Sequence, residues 1–168
     1  MLTFAPTITA PADRSGYRGV RFGLDDLGDL LAVCEQAIRT HWAPGHDGAV
    51  RRSVSVERWT EALTDGVCLG FRRYDGSIAA AASLRTSLPA VHAFGNFVED
   101  AGRGLGSALL AHRIELGREL GSESITVDVL GWNHRSQAMI ERLGFRWERS
   151  WESEWEPGQT IHGYRLRY

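Results

Sequence analysis

Hydrophobic residues recur along this chain with two different spacings, and each change of spacing separates a helix from a strand. Over residues 24–42 the apolar side chains fall three or four positions apart after an acidic first turn, which predicts an amphipathic helix. Residues 105–120 repeat that spacing and predict a second helix. Shorter helices are predicted over residues 56–63, after the N-capping Ser55, and over residues 133–144. About four helices are therefore expected.

Runs rich in β-branched, aromatic and small apolar residues predict six to seven strands between these helices. The stretch VCLGFRRYDGSIAAAASLR is expected to form a hairpin, because Asp75-Gly76 is a typical two-residue turn. Pro157-Gly158 is expected to separate two strands in the tail, and the polar segment 43–53 is interpreted as a loop. The remaining strands are expected at residues 17–22, 90–98 and 124–130.

The order of these elements, β-α-α-β-β-β-α-β-α-β-β, is typical of an α/β domain with one mixed central sheet. A chain of 168 residues fits a single domain, and we assign that domain to residues 17–168. Residues 1–16 show neither spacing and are expected to be a flexible lead-in. They have no basic segment followed by an apolar core, so no signal peptide is expected.

Composition and charge exclude several classes of function. A net charge of −2 gives no field for holding a nucleic-acid backbone, and no apolar run approaches the roughly 20 residues of a membrane span. All basic residues are arginine, so a Walker A lysine and Schiff-base chemistry are unavailable. Cys34 and Cys68 are too few for a disulfide framework or a metal site, and they predict reduced thiols in a cytoplasmic protein. We expect no nucleic-acid, membrane or metal partner.

The stretch FVEDAGRGLGSALLAHR has three glycines, Gly102, Gly104 and Gly106, between a strand and a helix. Glycine lets a ligand approach the backbone, and a helix N-terminus offers free N–H groups, so this loop predicts an anion site, usually for phosphate. The dinucleotide pattern G-x-G-x-x-G does not fit, because its third glycine would fall at Ser107 or Leu109. The loop also follows the fourth strand, whereas dinucleotide-binding folds place it after the first.

Together with the later stretch NHRSQAMIERLGF, this loop resembles two motifs of the GNAT superfamily of N-acetyltransferases. The cofactor loop of that family reads Gln/Arg-x-x-Gly-x-Gly/Ala, and its second motif reads Asn-x-x-Ala-x-x-x-Tyr-x-x-x-Gly-Phe. The resemblance covers about residues 91–149 and implies a GNAT-like mixed sheet flanked by about four helices, with acetyl-CoA as the cofactor. The second motif falls on Asn133, Ser136, Ile140, Gly144 and Phe145.

The resemblance implies which residues bind acetyl-CoA. Backbone N–H groups of the glycine loop would hold the pyrophosphate, and the fourth strand would bond the pantetheine arm. Ala101 stands where the family has Gln or Arg, which leaves Arg103 or Arg135 as the source of a compensating charge. The implied cofactor-binding residues are Asn96, Phe97, Val98, Gly102, Arg103, Gly104, Leu105, Gly106, Ser107, Asn133 and Ser136.

The resemblance also implies direct attack of an amine on the thioester, with a base that takes the proton of the amine. The candidate catalytic residues are His92, Glu99 and Asn133, and Asp100 is a further acid beside the fourth strand. His92 is of the residue type that titrates nearest to neutral pH, although it also fits a structural histidine that is hydrogen-bonded within the strand. Glu99 and Asp100 also fit residues that cap the loop. Many relatives protonate the leaving thiolate with a tyrosine where this chain has Ile140. Water, Ser136 or Tyr164 would have to replace it.

The acceptor side is expected at the first two helices, the loop 41–47 that joins them, and the tail stretch RWERSWESEWEPG. A regular strand there would place Trp147, Trp151 and Trp155 on one face, opposite the glutamates. Either the tryptophans pack inward and the acids face solvent, or both bind a cationic acceptor. The acids are Glu148, Glu152, Glu154 and Glu156.

The predicted function is transfer of an acetyl group from acetyl-CoA to a primary amine of a small molecule or peptide. Two alternatives stay open. A catalytically silent acyl-CoA-binding module is favoured by Ile140 and Ala101, and an acyltransferase acting on aminoacyl-tRNA is opposed by the acidic tail. Dimers are frequent in this family, so the resemblance also leaves a homodimer open.

Overall fold

Seven strands form one sheet in the described part of the chain, residues 7–42 and 44–168 of a computed structural model. Their order across the sheet is β1-β2-β3-β4-β5-β7-β6. Neighbours run antiparallel except for β4 and β5, which are parallel. The strands are β1 (Tyr17–Arg21), β2 (Gly66–Arg73), β3 (Ile78–Arg85), β4 (Ala90–Val98), β5 (Ser124–Leu130), β6 (Arg146–Glu152) and β7 (Thr160–Arg167).

Helices cover both faces of this sheet. One core contains Leu69 and Phe71 of β2 together with Leu105 and Leu109, whereas a second core places Cys68 against the first and third helices. Within the described residues, none of the helices is long and apolar enough to cross a membrane. The helices are α1 (Leu27–His41), α2 (Asp47–Ser53), α3 (Val56–Asp65), α4 (Leu105–Glu119) and α5 (His134–Arg142), and a one-turn 3-10 helix (Leu24–Asp26) precedes α1.

The helix α2 corrects the sequence expectation of a loop over residues 43–53. Seven residues with weak hydrophobic spacing do not predict a helix, and tertiary contacts stabilise this one. Gly48 and Ala49 are buried, and Gly48 lies against the backbone of Trp155 in the tail. This contact joins the segment before α3 to the end of β6, which sequence spacing alone does not reveal.

Residues 7–16 lie against the folded domain. The Thr9 carbonyl accepts a hydrogen bond from His112 Nε2 (3.0 Å), and Asp13 Oδ1 accepts one from the Gly19 backbone N–H (2.8 Å). Ile8 packs against the core that contains Leu105 and Leu109. The expected flexible lead-in over residues 1–16 includes residues 1–6, which lie outside the described residues.

A β-bulge bends β4 in its middle. Ala82 of β3 pairs with Asn96, but Ser83 pairs with Phe94, so Gly95 is left without a partner and adopts φ +60°. On its other edge β4 pairs with β5 only from Ala90 to Ala93. Beyond the Ala93–Val127 pair the two strands no longer pair with each other. Because a bulge bends its strand and increases the local twist, it accounts for the opening between β4 and β5.

A second bulge changes the arrangement of the tail. Trp147 is paired with Tyr164, whereas Arg149 is paired with Gly163, so Glu148 is the extra residue of β6. Directly paired residues share a face, and one extra residue reverses the faces that follow. Trp147 and Trp151 therefore lie on opposite faces of the sheet. The expected single aromatic face over Trp147, Trp151 and Trp155 is wrong.

Candidate active site

Two cavities meet in the opening between β4 and β5. We call the one beside the glycine loop the glycine-loop cavity (about 410 Å³) and the one beside His92 the His92 cavity (about 390 Å³). Both have volumes typical of small-molecule sites. Because their linings overlap, a ligand in one can touch a ligand in the other. The shared lining residues are Trp42, Asn96, Phe97, Asn133, Ser136 and Met139.

The N-terminus of α4 forms one end of the glycine-loop cavity. Gly104 is the N-cap and adopts φ +73°, a left-handed conformation that favours glycine, and no side chain caps the helix. The N–H groups of the first helical turn have no intrahelical acceptor, so they can donate to an anion. A pyrophosphate fits this end of the cavity. The other lining residues of the loop are Asp100, Ala101, Gly102, Leu105, Gly106 and Ser107.

Two buried polar atoms in the lining of the glycine-loop cavity have no hydrogen-bond partner among the described residues. They are Asn96 Oδ1 and Trp132 Nε1. The other amide atom of Asn96, Nδ2, donates to the Gly106 carbonyl at 3.3 Å, which ties β4 to the start of α4. Buried polar groups are normally paired, and an amide-rich ligand such as pantetheine would supply the missing donor and acceptor. Acetyl-CoA therefore fits the residues present.

Arginines supply the positive charge near the glycine loop. Arg135 and Arg142 of α5 line the glycine-loop cavity, whereas Arg103 does not. An ideal Cβ placed on Gly104 would lie 3.6 Å from a terminal nitrogen of Arg14. Arg14 belongs to the segment before β1, so the chain brings a guanidinium to the loop from a distant part of its sequence. Arg135 stays a candidate for the charge that Ala101 lacks, and Arg14 is a further one.

Asn133 places the start of α5 at the junction of the cavities. Its side-chain oxygen accepts a hydrogen bond from the Ser136 backbone N–H at 3.1 Å, as expected for an N-cap. Both residues line both cavities, so this cap lies where a reacting acyl group would lie. The structure thus places Asn133 and Ser136 in the same cavity linings as Asn96 and Phe97.

His92 lies in the His92 cavity on the paired part of β4. Its Nδ1 is 2.9 Å from Thr126 Oγ1, and the Thr126 hydroxyl donates to the Val91 carbonyl at 3.3 Å. The hydroxyl oxygen then accepts from Nδ1–H, which leaves the lone pair on Nε2, 3.8 Å from Asp128 Oδ2. Burial lowers the pKa of His92 below its usual value, Asp128 opposes the change, and Arg85, Arg58 and Arg113 add to it. His92 is therefore neutral near pH 7 and can accept a proton.

Glu99 and Asp100 are engaged in ion pairs with Arg73. Arg73 donates to both oxygens of Asp100 (2.6 and 3.0 Å), lies 3.3 Å from Glu99, and holds the pKa of Asp100 below its usual range. Asp100 also accepts from the Tyr17 hydroxyl at 2.7 Å. Glu99 is absent from the lining of both cavities among the described residues. These contacts fit a role in fixing the loop, and Glu99 as a base stays a prediction without geometric support.

The side chain at the expected tyrosine position, Ile140, is buried in the wall of the His92 cavity. Tyr164 is not part of either lining and donates to Glu141 Oε1 at 3.2 Å. Burial raises the pKa of Tyr164, and the Glu141 carboxylate adds to this. Among the proton donors that the sequence suggested, only Ser136 lines the cavities in the described chain.

The loop between α1 and α2 closes one side of the site. Trp42 lies between Phe97 and Trp132, with ring centroids 6.3 and 5.3 Å away, and His46 stacks on Trp132 at 4.1 Å. His46 also pairs with the buried Glu156 at 3.1 Å. The expected closing loop 41–47 therefore contacts the site through both ends, while Ala43 lies outside the described residues. Glu156 pairs with His46 inside the fold and is outside the lining of both cavities in the described chain.

Sequence reasoning missed the residues that shape the opening. Arg113 is fully buried and donates through Nη1 to the carbonyls of Ser83 (2.9 Å), Phe94 (3.3 Å) and Gly95 (3.0 Å), and burial lowers its pKa to about 9. These hydrogen bonds fix Arg113 of α4 to the bulge of β4. Two features of the sequence could have indicated these residues. Gly95 lies inside a strand, which suggests a bulge. Arg113 lies one helical turn after Leu109, which places its side chain on the apolar face of α4.

Residues 34–145 match the model of the Acetyltransferase (GNAT) family. Because this match covers more than half of the chain, the chain belongs to that family. Its members are acetyltransferases, and their cofactor is acetyl-CoA. The fold class inferred from the sequence is therefore confirmed. No curated protein matches the chain.

Solved structures of similar fold cover 90% of this chain. The ribosomal-protein-S18-alanine N-acetyltransferase from Escherichia coli is 19% identical with a TM-score of 0.71 over 93% of its chain. PaiA N-acetyltransferase from Thermoplasma acidophilum, in complex with coenzyme A, is 13% identical with a TM-score of 0.71 over 99%. YncA from Salmonella typhimurium, with its cofactor acetyl-CoA, is 17% identical with a TM-score of 0.69 over 94%. At these identities the likeness supports the fold.

Proposed function

We propose that this protein is an N-acetyltransferase that moves the acetyl group of acetyl-CoA to a primary amine of a small molecule or peptide. One observation carries the proposal: the two cavities overlap at Asn96, Phe97, Asn133 and Ser136. One end of the combined site has an anion-binding helix N-terminus, and the other has a neutral histidine beside a carboxylate. A cofactor and an acceptor that enter from opposite ends would meet at the overlap.

When bound, acetyl-CoA supplies an acetyl group that is activated as a thioester. Loop N–H groups at Gly104 to Ser107 would hold its pyrophosphate, and residues 94–98, whose edge towards β5 is unpaired, would orient its amide arm. His92 Nε2 takes the proton of the ammonium, directly or through one water, which frees the nitrogen lone pair for attack on the carbonyl carbon. Asp128 then stabilises the imidazolium at 3.8 Å. Breakage of the C–S bond would release the thiolate of coenzyme A, and the second proton of the attacking nitrogen would pass to this thiolate through the Ser136 hydroxyl as a relay or through solvent.

A thiol-release assay with acetyl-CoA and a panel of primary amines tests this function. We expect release of coenzyme A that depends on the amine, and a mass increase of one acetyl group on the amine. Release that is independent of every amine, or acetylation of hydroxyl groups alone, would contradict the proposal. Binding of tRNA that is strong and salt-sensitive would favour the aminoacyl-tRNA alternative instead.

A second candidate is a module that binds acyl-CoA without turnover, and Ile140 is the observation that favours it. A buried isoleucine cannot protonate the leaving thiolate, and neither cavity is lined by a tyrosine in the described chain. Coenzyme A thiolate is a fair leaving group, so the lack of this acid slows the reaction without preventing it. Tight acetyl-CoA binding with no transfer to any amine would support the silent module.

A further inference from the structure

The His92 cavity has an excess of positive charge opposite its two acids. Arg52, Arg58 and Arg85 line the side formed by α2, α3 and β3, whereas Asp128 and Glu154 belong to β5 and the tail. Of the two alternatives that the sequence left open for the tail, cation binding by its tryptophans and glutamates takes no account of these arginines.

Most arginines of the lining are engaged. The guanidinium of Arg113 is bonded to backbone carbonyls, and Arg85 pairs with Glu61 at 3.2 Å. The exposed Arg52 stacks over Trp155 with its Cζ 5.0 Å from the ring centroid. Arg58 differs from the exposed Arg52 in its burial: no carboxylate or carbonyl within the described chain accepts from its guanidinium, and its Nε is buried without a partner. The Nε–H of Arg58 therefore lacks the hydrogen bond that it would have in water.

Aromatic contacts hold Arg58 close to the reacting end of the site. Its Cζ lies 4.5 Å from the centroid of the Phe94 ring, and the Cζ of Arg85 lies 5.4 Å from the same centroid. Phe94 is two residues beyond His92 on β4. Burial lowers the pKa of Arg58 to about 10; the like charges of Arg52 and Arg85 add to this, and the carboxylates of Glu61 and Asp128 oppose it. A half-buried positive charge with like-charged neighbours is stabilised by an anion that shares the cavity.

We propose that the acceptor is an amino acid, with its carboxylate bound by Arg58 and its amine presented to His92. This inference rests on the proposed function and names the acceptor class. Arginine suits a carboxylate because its planar fork donates two parallel hydrogen bonds. The acidic side of the cavity, Asp128 with Glu154, faces the ammonium before it loses its proton. Rings of Trp42, Phe97, Trp151 and Trp155 line the same space and suit an apolar or aromatic side chain.

Matched substrates test the inference without any mutation. Tryptophan and phenylalanine are compared with their amides and with tryptamine and phenethylamine, which keep the amine and the ring but lack the carboxylate. We expect kcat/KM for the amino acids to exceed that of both analogues by about tenfold or more, because a hydrogen-bonded charge is worth a factor of roughly 10–100. Equal or better acetylation of the amides and the decarboxylated amines overturns the inference and leaves the proposed function intact.

Variants test which residue binds the carboxylate of the acceptor. Arg58→Met should abolish the preference for amino acids over their amides, mainly through KM, and Arg58→Lys should restore part of it. Arg51→Met is the matched control, because this exposed arginine of α2 is outside the lining. Arg58→Met that keeps the full preference overturns the assignment, provided that its circular dichroism and coenzyme A affinity match the parent.

Calorimetry separates failure of the inference from failure of the proposed function. Amino acids should bind the complex with coenzyme A in the parent protein and bind at least about tenfold more weakly in Arg58→Met. Binding without acetylation contradicts the proposed function, whereas acetylation of simple amines without amino-acid binding contradicts the inference alone. If no acceptor is bound or acetylated while coenzyme A binds, both fail.

Discussion

His92 combines a depressed pKa with a carboxylate close to its free nitrogen, and these two properties make its role measurable. If it is the base, kcat/KM rises with pH as His92 loses its proton and becomes flat above that pH. Because burial lowers this pKa, the midpoint should lie below the ordinary value of about 6.5. His92→Gln should reduce kcat by about 10²- to 10⁴-fold and remove the acidic limb. Full activity with an unchanged pH profile would exclude His92.

Asp128 gives a finer test of the same residue. Its carboxylate raises the pKa of His92 against the effect of burial, so Asp128→Asn should lower that pKa further. The acidic limb of kcat/KM should then move to lower pH, while kcat falls because the imidazolium loses its stabilising charge. Glu99→Gln is the control, because Glu99 pairs with Arg73 outside the His92 cavity. A larger decrease of kcat in Glu99→Gln than in Asp128→Asn would show that the base has been misassigned.

Gly104 tests the anion site at the start of α4. Valine strains a backbone at φ +73° and pushes the loop away from the position that exposes its N–H groups. Gly104→Val should weaken coenzyme A binding at least tenfold by calorimetry. Gly158→Val is the matched control, because Gly158 also has positive φ (81°) but lies in the open turn between β6 and β7. Equal affinities in the two variants would contradict the assignment of the phosphate loop.

Residues in sequence motifs could be predicted, and residues brought in by other elements could not. Asn133 and the glycine loop follow from spacing along the chain. Arg58 reaches the site from α3, and Asp128 from β5. Both side chains line the cavity because β4 bends at Gly95, and no local sequence pattern predicts which distant charged residues come together at that bend.

The bend of β4 is held by Arg113 of α4, and this link between two elements can be broken. Arg113→Met removes the donor to three carbonyls at the bulge, which should lower the free energy of unfolding by about 2 kcal/mol. The change should appear as a lower urea midpoint, together with a higher KM for acetyl-CoA because the opening changes shape. Arg118→Met on the same helix is the control, since its pair with Glu115 is exposed and contributes at most about 1 kcal/mol. Equal effects would contradict this role of Arg113.

Among the elements, the strands with clear alternation or turn residues were predictable, and the exceptions have physical causes. The bounds of β4 and β5 coincide with the predicted ones because both strands lie in the middle of the sheet. The helix α2 was missed since its stability comes from contact with Trp155. The aromatic face of the tail was missed because the bulge at Glu148 shifts the register by one residue.

Because the described chain forms one sheet with helices on both faces, cofactor binding should stabilise the domain as a unit. The glycine-loop cavity uses β4, α4, α5 and the loop after α1, so its ligand contacts distant parts of the chain at once. At a hundredfold excess over Kd, coenzyme A should add about 2.7 kcal/mol to the free energy of unfolding. For a chain of this size that corresponds to a rise in Tm of roughly 5–10 °C.

A thermal melt with increasing coenzyme A measures this coupling, and one transition should move as a whole if the domain is cooperative. Gly104→Val should remain near its ligand-free Tm at the same coenzyme A concentration, because its weakened loop N–H groups no longer hold the pyrophosphate. Arg58→Met should retain the full shift, since Arg58 lines the other cavity. A shift of equal size in Gly104→Val, or its loss in Arg58→Met, would mean that the cofactor does not bind along the glycine loop.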